Sequence, residues 1–182
     1  MHLSTVGYVH TFFGLIGVAL AFYMLIKNQR IDPTSSPGKA YFLAVAISSV
    51  LVFALPQKAP DFNPVPGYVL TLLTLTSLCL GFFIRFAKIR ASRYIEAWGL
   101  TGSFFFSMVP AVNETLTRLP VGAPLATSPQ DPVVLRSLGV LAVLILALCI
   151  AQFVNIRRSA RSQIPLGEEL GRCEPTANMR IP

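Results

Sequence analysis

Four stretches of this chain run for sixteen residues or more almost without a charged side chain, and this limits the possible folds more than any other feature. A hydrocarbon core about 30 Å thick needs roughly 20 helical residues at about 1.5 Å each. The stretches 5–26, 40–55, 67–87 and 133–156 are therefore predicted to be membrane-spanning helices. The second is short and bracketed by Pro37 and Pro56. Its helix is expected to begin before its apolar core, giving a span of about 39–56, with Pro37 tolerated in the first turn. Only 13% of the residues are charged, against about a quarter in soluble domains, which places the whole chain in the membrane class.

The segment "FFFSMVPAVNETLTRLP", residues 104–120, starts as if it belonged in lipid and then meets Pro110, Asn113 and Glu114. From Tyr94 to Thr117 the chain is long enough to cross, although Glu96, Ser103 and Ser107 lower its hydropathy. Basic residues decide the matter, because Lys and Arg beside spans stay on the cytoplasmic side during insertion. With five crossings and the N-terminus outside, ten of the fifteen basic residues flank the inner ends: Lys27, Arg30, Lys39, Arg85, Lys88, Arg90, Arg93, Arg157, Arg158 and Arg161. Lys58, Arg118 and Arg136 fall outside, while Arg172 and Arg180 lie in the distal tail. Four crossings would export the cluster at Arg157, Arg158 and Arg161. The prediction is an all-α, polytopic transmembrane helical bundle over residues 1–158, with spans at about 5–26, 39–56, 67–87, 94–117 and 133–156. Its N-terminus is placed outside, and its C-terminus in the cytoplasm of a cell whose inner membrane it crosses repeatedly. Residues 159–182 mix Arg with Glu168, Glu169 and Glu174 among Pro and Gly, and are expected to form a cytoplasmic tail that is flexible or ordered by a partner.

Several activities are argued down by what the chain contains. Its net charge of +7 sits in clusters beside apolar runs, as in cytoplasmic membrane flanks, and does not point to nucleic acid. Cys79, Cys149 and Cys173 lack metal-type spacing and suggest neither a zinc site nor a disulfide framework. "VALAF" after an apolar run imitates a cleavage site, but no positive region precedes it, and Lys27 and Arg30 follow. HExxH, GxSxG, P-loop and CxxC motifs are missing from the sequence, so no catalytic residues and no metal ligands are assigned. Nothing in the sequence requires a cofactor.

Helices in lipid associate through close backbone approach and polar contacts, which small residues at four-residue spacing favour. Gly14, Gly17 and Ala21 form such a stripe in the first span, Ala40, Ala44 and Ser48 in the second, and Gly99, Ser103 and Ser107 in the fourth. These stripes are expected to face one another. The last span, "VLAVLILALCIAQFV", is apolar almost all round and reads as a peripheral helix against lipid or a second protein. Tyr94, Trp98, Tyr8 and Tyr68 are placed as headgroup anchors.

The few polar groups inside the spans are the candidates for function. His10 lies about 8 Å below the outer end of the first span by helical rise, with Asn113 and Glu114 at similar depth in the fourth. One reading joins His10, Asn113 and Glu114 in a polar pocket that opens outward. The other has Glu114 beside Arg118, its i+4 neighbour, and His10 in a structural hydrogen bond between helices.

The segments "GYVHTFFGLIGVALAFYMLI", "PGKAYFLAVAISSVLVFAL", "GYVLTLLTLTSLCLGFFIRFAKIR" and "EAWGLTGSFFFSMVPAVNETLTRLP" follow one another in an order that resembles a bacterial family of polytopic membrane proteins known as a domain of unknown function. The resemblance covers about residues 7–120. Members of that family often carry histidines at the starts of the second, third and fourth helices, which invites comparison with haem-bearing four-helix bundles. Here those places read "SPGKAY", "VPGYVL" and "RYIEAW", so His10 alone carries over as a candidate cofactor-binding residue. Three functions stay open. One is a non-catalytic accessory or structural subunit that packs against lipid and other membrane-protein subunits or its own copies. Another is a small redox, haem or quinone-binding protein using His10. The third is a solute transporter or channel with its pocket at His10 and Glu114.

Overall fold

The computed structural model describes residues 5–55, 65–87, 89 and 91–162. They form five α-helices: α1 Thr5–Asn28, α2 Ser36–Val52, α3 Val65–Phe83, α4 Ser92–Arg118 and α5 Pro132–Ser162, with a 3₁₀ turn, Ile84–Phe86, extending α3. Three of these, Thr5–Asn28, Val65–Phe86 and Pro132–Ser159, are long and apolar enough to cross a membrane. At 17 residues α2 is apolar but shorter, about 25 Å by helical rise. α4 has the length, at 27 residues, but mixes apolar with polar side chains. Residue 159, the expected start of a tail, is still helical, and α5 runs on to Ser162. The rest of the predicted tail, with Lys58, Lys88 and Arg90, lies outside the described residues.

Local chemistry accounts for the helix ends. Ser35 caps α2, its hydroxyl accepting the Gly38 N–H at 3.1 Å. Pro37 sits within the first turn, where its missing N–H removes no helical bond. Gln29 ends α1 with φ +56°, and its N–H still reaches Leu25 O at 2.9 Å. Asp131 caps α5, one carboxylate oxygen accepting the Val133 N–H at 3.0 Å, with Pro132 as the first helical residue. α4 passes through Pro110 and continues to Arg118, although the proline deprives the Phe106 carbonyl of its usual donor.

The helices pack as two hairpins, α1 on α2 and α3 on α4, joined by α2–α3 and α1–α4 contacts, with α5 laid against α4. In the first hairpin the predicted stripes do meet. A Cβ on Gly17 would stand 2.7 Å from Val45 Cγ2, and one on Gly14 would stand 3.3 Å from Ser48 Oγ. Ala40, expected in the same seam, is exposed instead. The second hairpin corrects the expected arrangement further. Gly99 of α4 faces Gly81 of α3, and a Cβ on either would come within 2.6–2.8 Å of the other helix's backbone. α4 thus spends its small-residue stripe mainly on α3, while Ser103 turns to α2 through Tyr41.

The core of Ala21, Met24, Ile31, Tyr41, Val45, Leu78, Leu100 and Phe104 lies toward the end where α1 and α3 finish and α2 and α4 begin. That end also carries Arg30, Arg85, Arg93, Arg157 and Arg158, and is called the basic end below. Two ring contacts reinforce the hairpin junctions, Phe42 on Phe82 at 4.3 Å and Phe22 on Phe104 at 5.2 Å.

Backbone-to-backbone contact leaves no flexible side chain to yield. Gly81→Ala or Gly99→Ala is therefore expected to cost about 1–3 kcal/mol, read as a lowered unfolding temperature in detergent. Gly139→Ala, whose Cβ meets nothing within 4 Å, should leave that temperature unchanged or slightly higher.

Candidate functional site

His10 sits at the end of the bundle opposite the basic end, half-buried on the face of α1 that meets α2. Its Nδ1 lies 2.8 Å from the Ser48 carbonyl oxygen and 3.1 Å from Ser48 Oγ, while Ser48 Oγ donates to the His10 carbonyl at 3.0 Å. A carbonyl oxygen only accepts, so Nδ1 carries the hydrogen and shares it between the two Ser48 oxygens. The serine's own hydrogen is then committed to the His10 backbone. This closed pair clamps α1 to α2 next to Gly14. Nε2 is the ring atom that any ligand role for His10 would use.

Glu114 takes a different partner. It forms an ion pair with Arg118 one turn along α4, with both side chains about half exposed, an arrangement worth little to stability. Asn113 is half-buried, and its side-chain oxygen is buried without a hydrogen-bond partner. Among the described residues, no hydrogen bond joins His10 to Asn113 or Glu114. The three predicted pocket residues are thus committed separately: His10 to α2, Glu114 to Arg118, and Asn113 to no side-chain bond. The geometric reason is that α1 packs chiefly on α2, while α4 packs chiefly on α3.

The hydroxyls nearby are largely absorbed by backbone. Thr71 donates to Gly67 O and Thr74 to Leu70 O, both at 2.8 Å, and Ser107 donates to Ser103 O at 2.8 Å. Such back-bonding is the usual outcome for hydroxyls in apolar helices. Ser103 Oγ donates to Leu100 O at 2.8 Å, so Tyr41, fully buried, supplies the hydrogen in its 2.8 Å bond to Ser103 Oγ.

The basic end holds a polar network that sequence reading missed. Gln152 of α5 is 3% exposed. Its Nε2 donates to Gln29 O at 3.0 Å and lies 3.1 Å from Thr101 Oγ1, which itself donates to Gln152 Oε1 at 3.2 Å. Asn155 Nδ2, one turn on, donates to Gln29 Oε1 at 3.0 Å. One amide therefore ties α5 to both α4 and the end of α1. The signal was present, since Gln152 is a lone amide within the otherwise apolar "CIAQFV", and an amide there needs a partner. Phe153 completes the attachment, packing against Tyr94 at 5.2 Å and Trp98 at 6.3 Å. Two of the four aromatics expected to anchor at headgroups thus grip α5. Tyr68 stacks on Phe53 at 5.4 Å, and Tyr8 is exposed.

Beside this network, a cleft of about 340 Å³ opens at the basic end, lined by α1, α4 and α5 and including Gln29, Arg30, Arg93, Gln152 and Asn155. In the α1–α2 connector, burial pushes the Asp32 carboxyl up. Bonds from the Thr34 N–H and hydroxyl at 2.9 and 2.7 Å, with Arg30 and Arg85 nearby, outweigh it and leave the group below its ordinary value. Among the described residues, no three His, Cys, Asp or Glu side chains group as metal ligands. Comparison with known proteins finds no matching family model, no matching curated protein and no matching solved structure. The class of protein rests on the fold: an all-helical bundle with three helices able to cross a membrane.

Two outcomes follow from this geometry. In a double-mutant cycle on unfolding in detergent, His10→Ala with Ser48→Ala should show coupling of about 1 kcal/mol, whereas His10→Ala with Glu114→Gln should show under about 0.5 kcal/mol. Asp131 is held below the usual carboxylate value by the Val133 and Thr127 N–H groups. Its cap is therefore fully effective above about pH 4 and fades as pH falls through the lowered value. Asp131→Ala should lower the unfolding temperature at neutral pH, with the difference from wild type shrinking as the pH falls below about 4, the ordinary carboxylate value.

Proposed function

We propose that this chain is a five-span inner-membrane protein that acts by packing, as an accessory or structural subunit held against another membrane protein through α5. The single observation behind the reading is the surface of that helix. Val140, Val143, Leu144, Leu146 and Ile150 are 57–67% exposed, while Gln152 and Phe153 fasten the helix to the bundle near its basic end. A helix apolar from Leu138 to Ala151, with the amide of Gln152 turned to its own bundle, suits burial in lipid and against a neighbouring helix. The cross-helix polar groups point the same way. His10 with Ser48, Tyr41 with Ser103 and Thr101 with Gln152 are each engaged in holding helices together.

The five-span arrangement, with the N-terminus outside, is supported by the basic residues gathered at one end of the bundle. It is supported also by α4, whose Thr101 and Ser103 are buried within the bundle while Phe105 and Phe106 are partly exposed. Kinship of residues 7–120 with the bacterial family of polytopic membrane proteins belongs to the same reading.

A photo-crosslinking residue placed at Val143 or Leu146 in native membranes should capture a second polypeptide of defined mass, and tags at the two termini should label from opposite sides. Capture of lipid alone from both positions would remove the subunit role, and same-side labelling would remove the five-span topology.

A further inference from the structure

The cleft at the basic end has the chemistry of an anion site. Two guanidinium groups, Arg30 from the end of α1 and Arg93 from the first turn of α4, line it, together with the amides of Asn28, Gln29, Gln152 and Asn155 and the hydroxyl-bearing Ser159. Among the described residues, no carboxylate lines it. Among the described residues, neither arginine has a carboxylate within ion-pair distance. Asp32 and Glu96 act on Arg30 electrostatically, and Glu96 on Arg93, but both stand outside the lining. Two arginines left in this way present a forked set of donors suited to a phosphate group.

The surrounding backbone favours the same occupant. Arg93 lies in the first turn of α4, where the helix dipole attracts negative charge. The opposing contribution would come from carbonyls at the end of α1, and the last of them, Gln29 O, is capped by Gln152 Nε2 at 3.0 Å. Because Asn155 occupies Gln29 Oε1, the Gln29 amide nitrogen remains as a further donor beside the arginines. Ala97 and Ile156 supply an apolar wall, and Tyr94, Trp98 and Phe153 form an aromatic surface on the same two helices.

We infer that this cleft binds a phosphate-bearing anion through Arg30 and Arg93, the phosphate being that of a lipid headgroup or of a free ion. The inference does not require the accessory role, and its test in detergent does not depend on orientation in the cell. Trp98, the sole tryptophan, follows the lining residue Ala97 and packs on Phe153, next to the lining residue Gln152, and its fluorescence serves as the readout. The full-length protein in a neutral detergent is titrated with short-chain phosphatidylglycerol, short-chain phosphatidylcholine and inorganic phosphate, at fixed ionic strength.

Phosphatidylglycerol should bind more tightly than phosphatidylcholine, and R30Q/R93Q should weaken it by about tenfold or more, while R157Q/R158Q on the exposed flank of α5 changes it less than about threefold. The single variants R30Q and R93Q should each show part of the loss, which covers the case of a double variant that does not fold. Saturable binding of inorganic phosphate with the same arginine dependence would assign the site to a free ion, and its failure beside tight phosphatidylglycerol binding would assign it to lipid. The proposal is overturned if neither phosphatidylglycerol nor inorganic phosphate loses affinity in R30Q/R93Q, or if the loss is equal in R157Q/R158Q.

Discussion

Glycine at the two hairpin seams is the constraint on which the remaining structure depends. In lipid there is no hydrophobic gain in bringing one apolar helix to another, so association needs backbones close enough for dispersion and polar contact. Gly17 against Val45, and Gly81 against Gly99 and Leu100, supply that closeness. Once α1 lies this near α2, the imidazole of His10 reaches the Ser48 carbonyl. Once α4 lies this near α3, its stripe is used up there and Ser103 is left turned toward Tyr41. The cross-helix hydrogen bonds are consequences of the glycine contacts and reinforce them.

The polar groups divide by position along the bundle. Toward the basic end they cross between helices, as Tyr41 does with Ser103 and Gln152 with Thr101 and Gln29, within a tightly filled core. Toward the other end most hydroxyls turn back onto their own helices, leaving the His10–Ser48 clamp as the main cross-helix bond and Asn113 with an unmatched oxygen. A buried amide oxygen without a donor is costly, so that end carries less cohesion per polar group. The arginines meet around the cleft because three helix ends converge there, and their charges remain available because the nearby carboxylates engage them only at a distance.

Much of the architecture was legible from the residues. Each of the five helices contains most of its predicted span, because apolar length, Pro37 at a first turn and the run of Pro and Gly between helices are local signals. Glu114 beside Arg118 was legible for the same reason, as i+4 neighbours on one helix. Partner choice was not. Four-residue spacing marked Gly99 but said nothing of which helix it would touch, and the Ser77–Gly81 pair of the third span was not assigned to a stripe. Gln152 was read as part of an apolar surface, although a lone amide in such a run signals a contact, because the contact lies more than a hundred residues away at Gln29.

The amino-acid sequence by itself determined that this chain is helical, that its helices are apolar enough to suggest a membrane, and where along the chain each one lies. These properties depend on composition and on neighbours a few residues apart. Tertiary structure alone decided that His10 bonds to Ser48 and not to Glu114, that Gly81 receives Gly99, and that Arg30 and Arg93 share one cleft. Those outcomes depend on the rotation and register of one helix against another, and such quantities arise from the packing of many side chains at once.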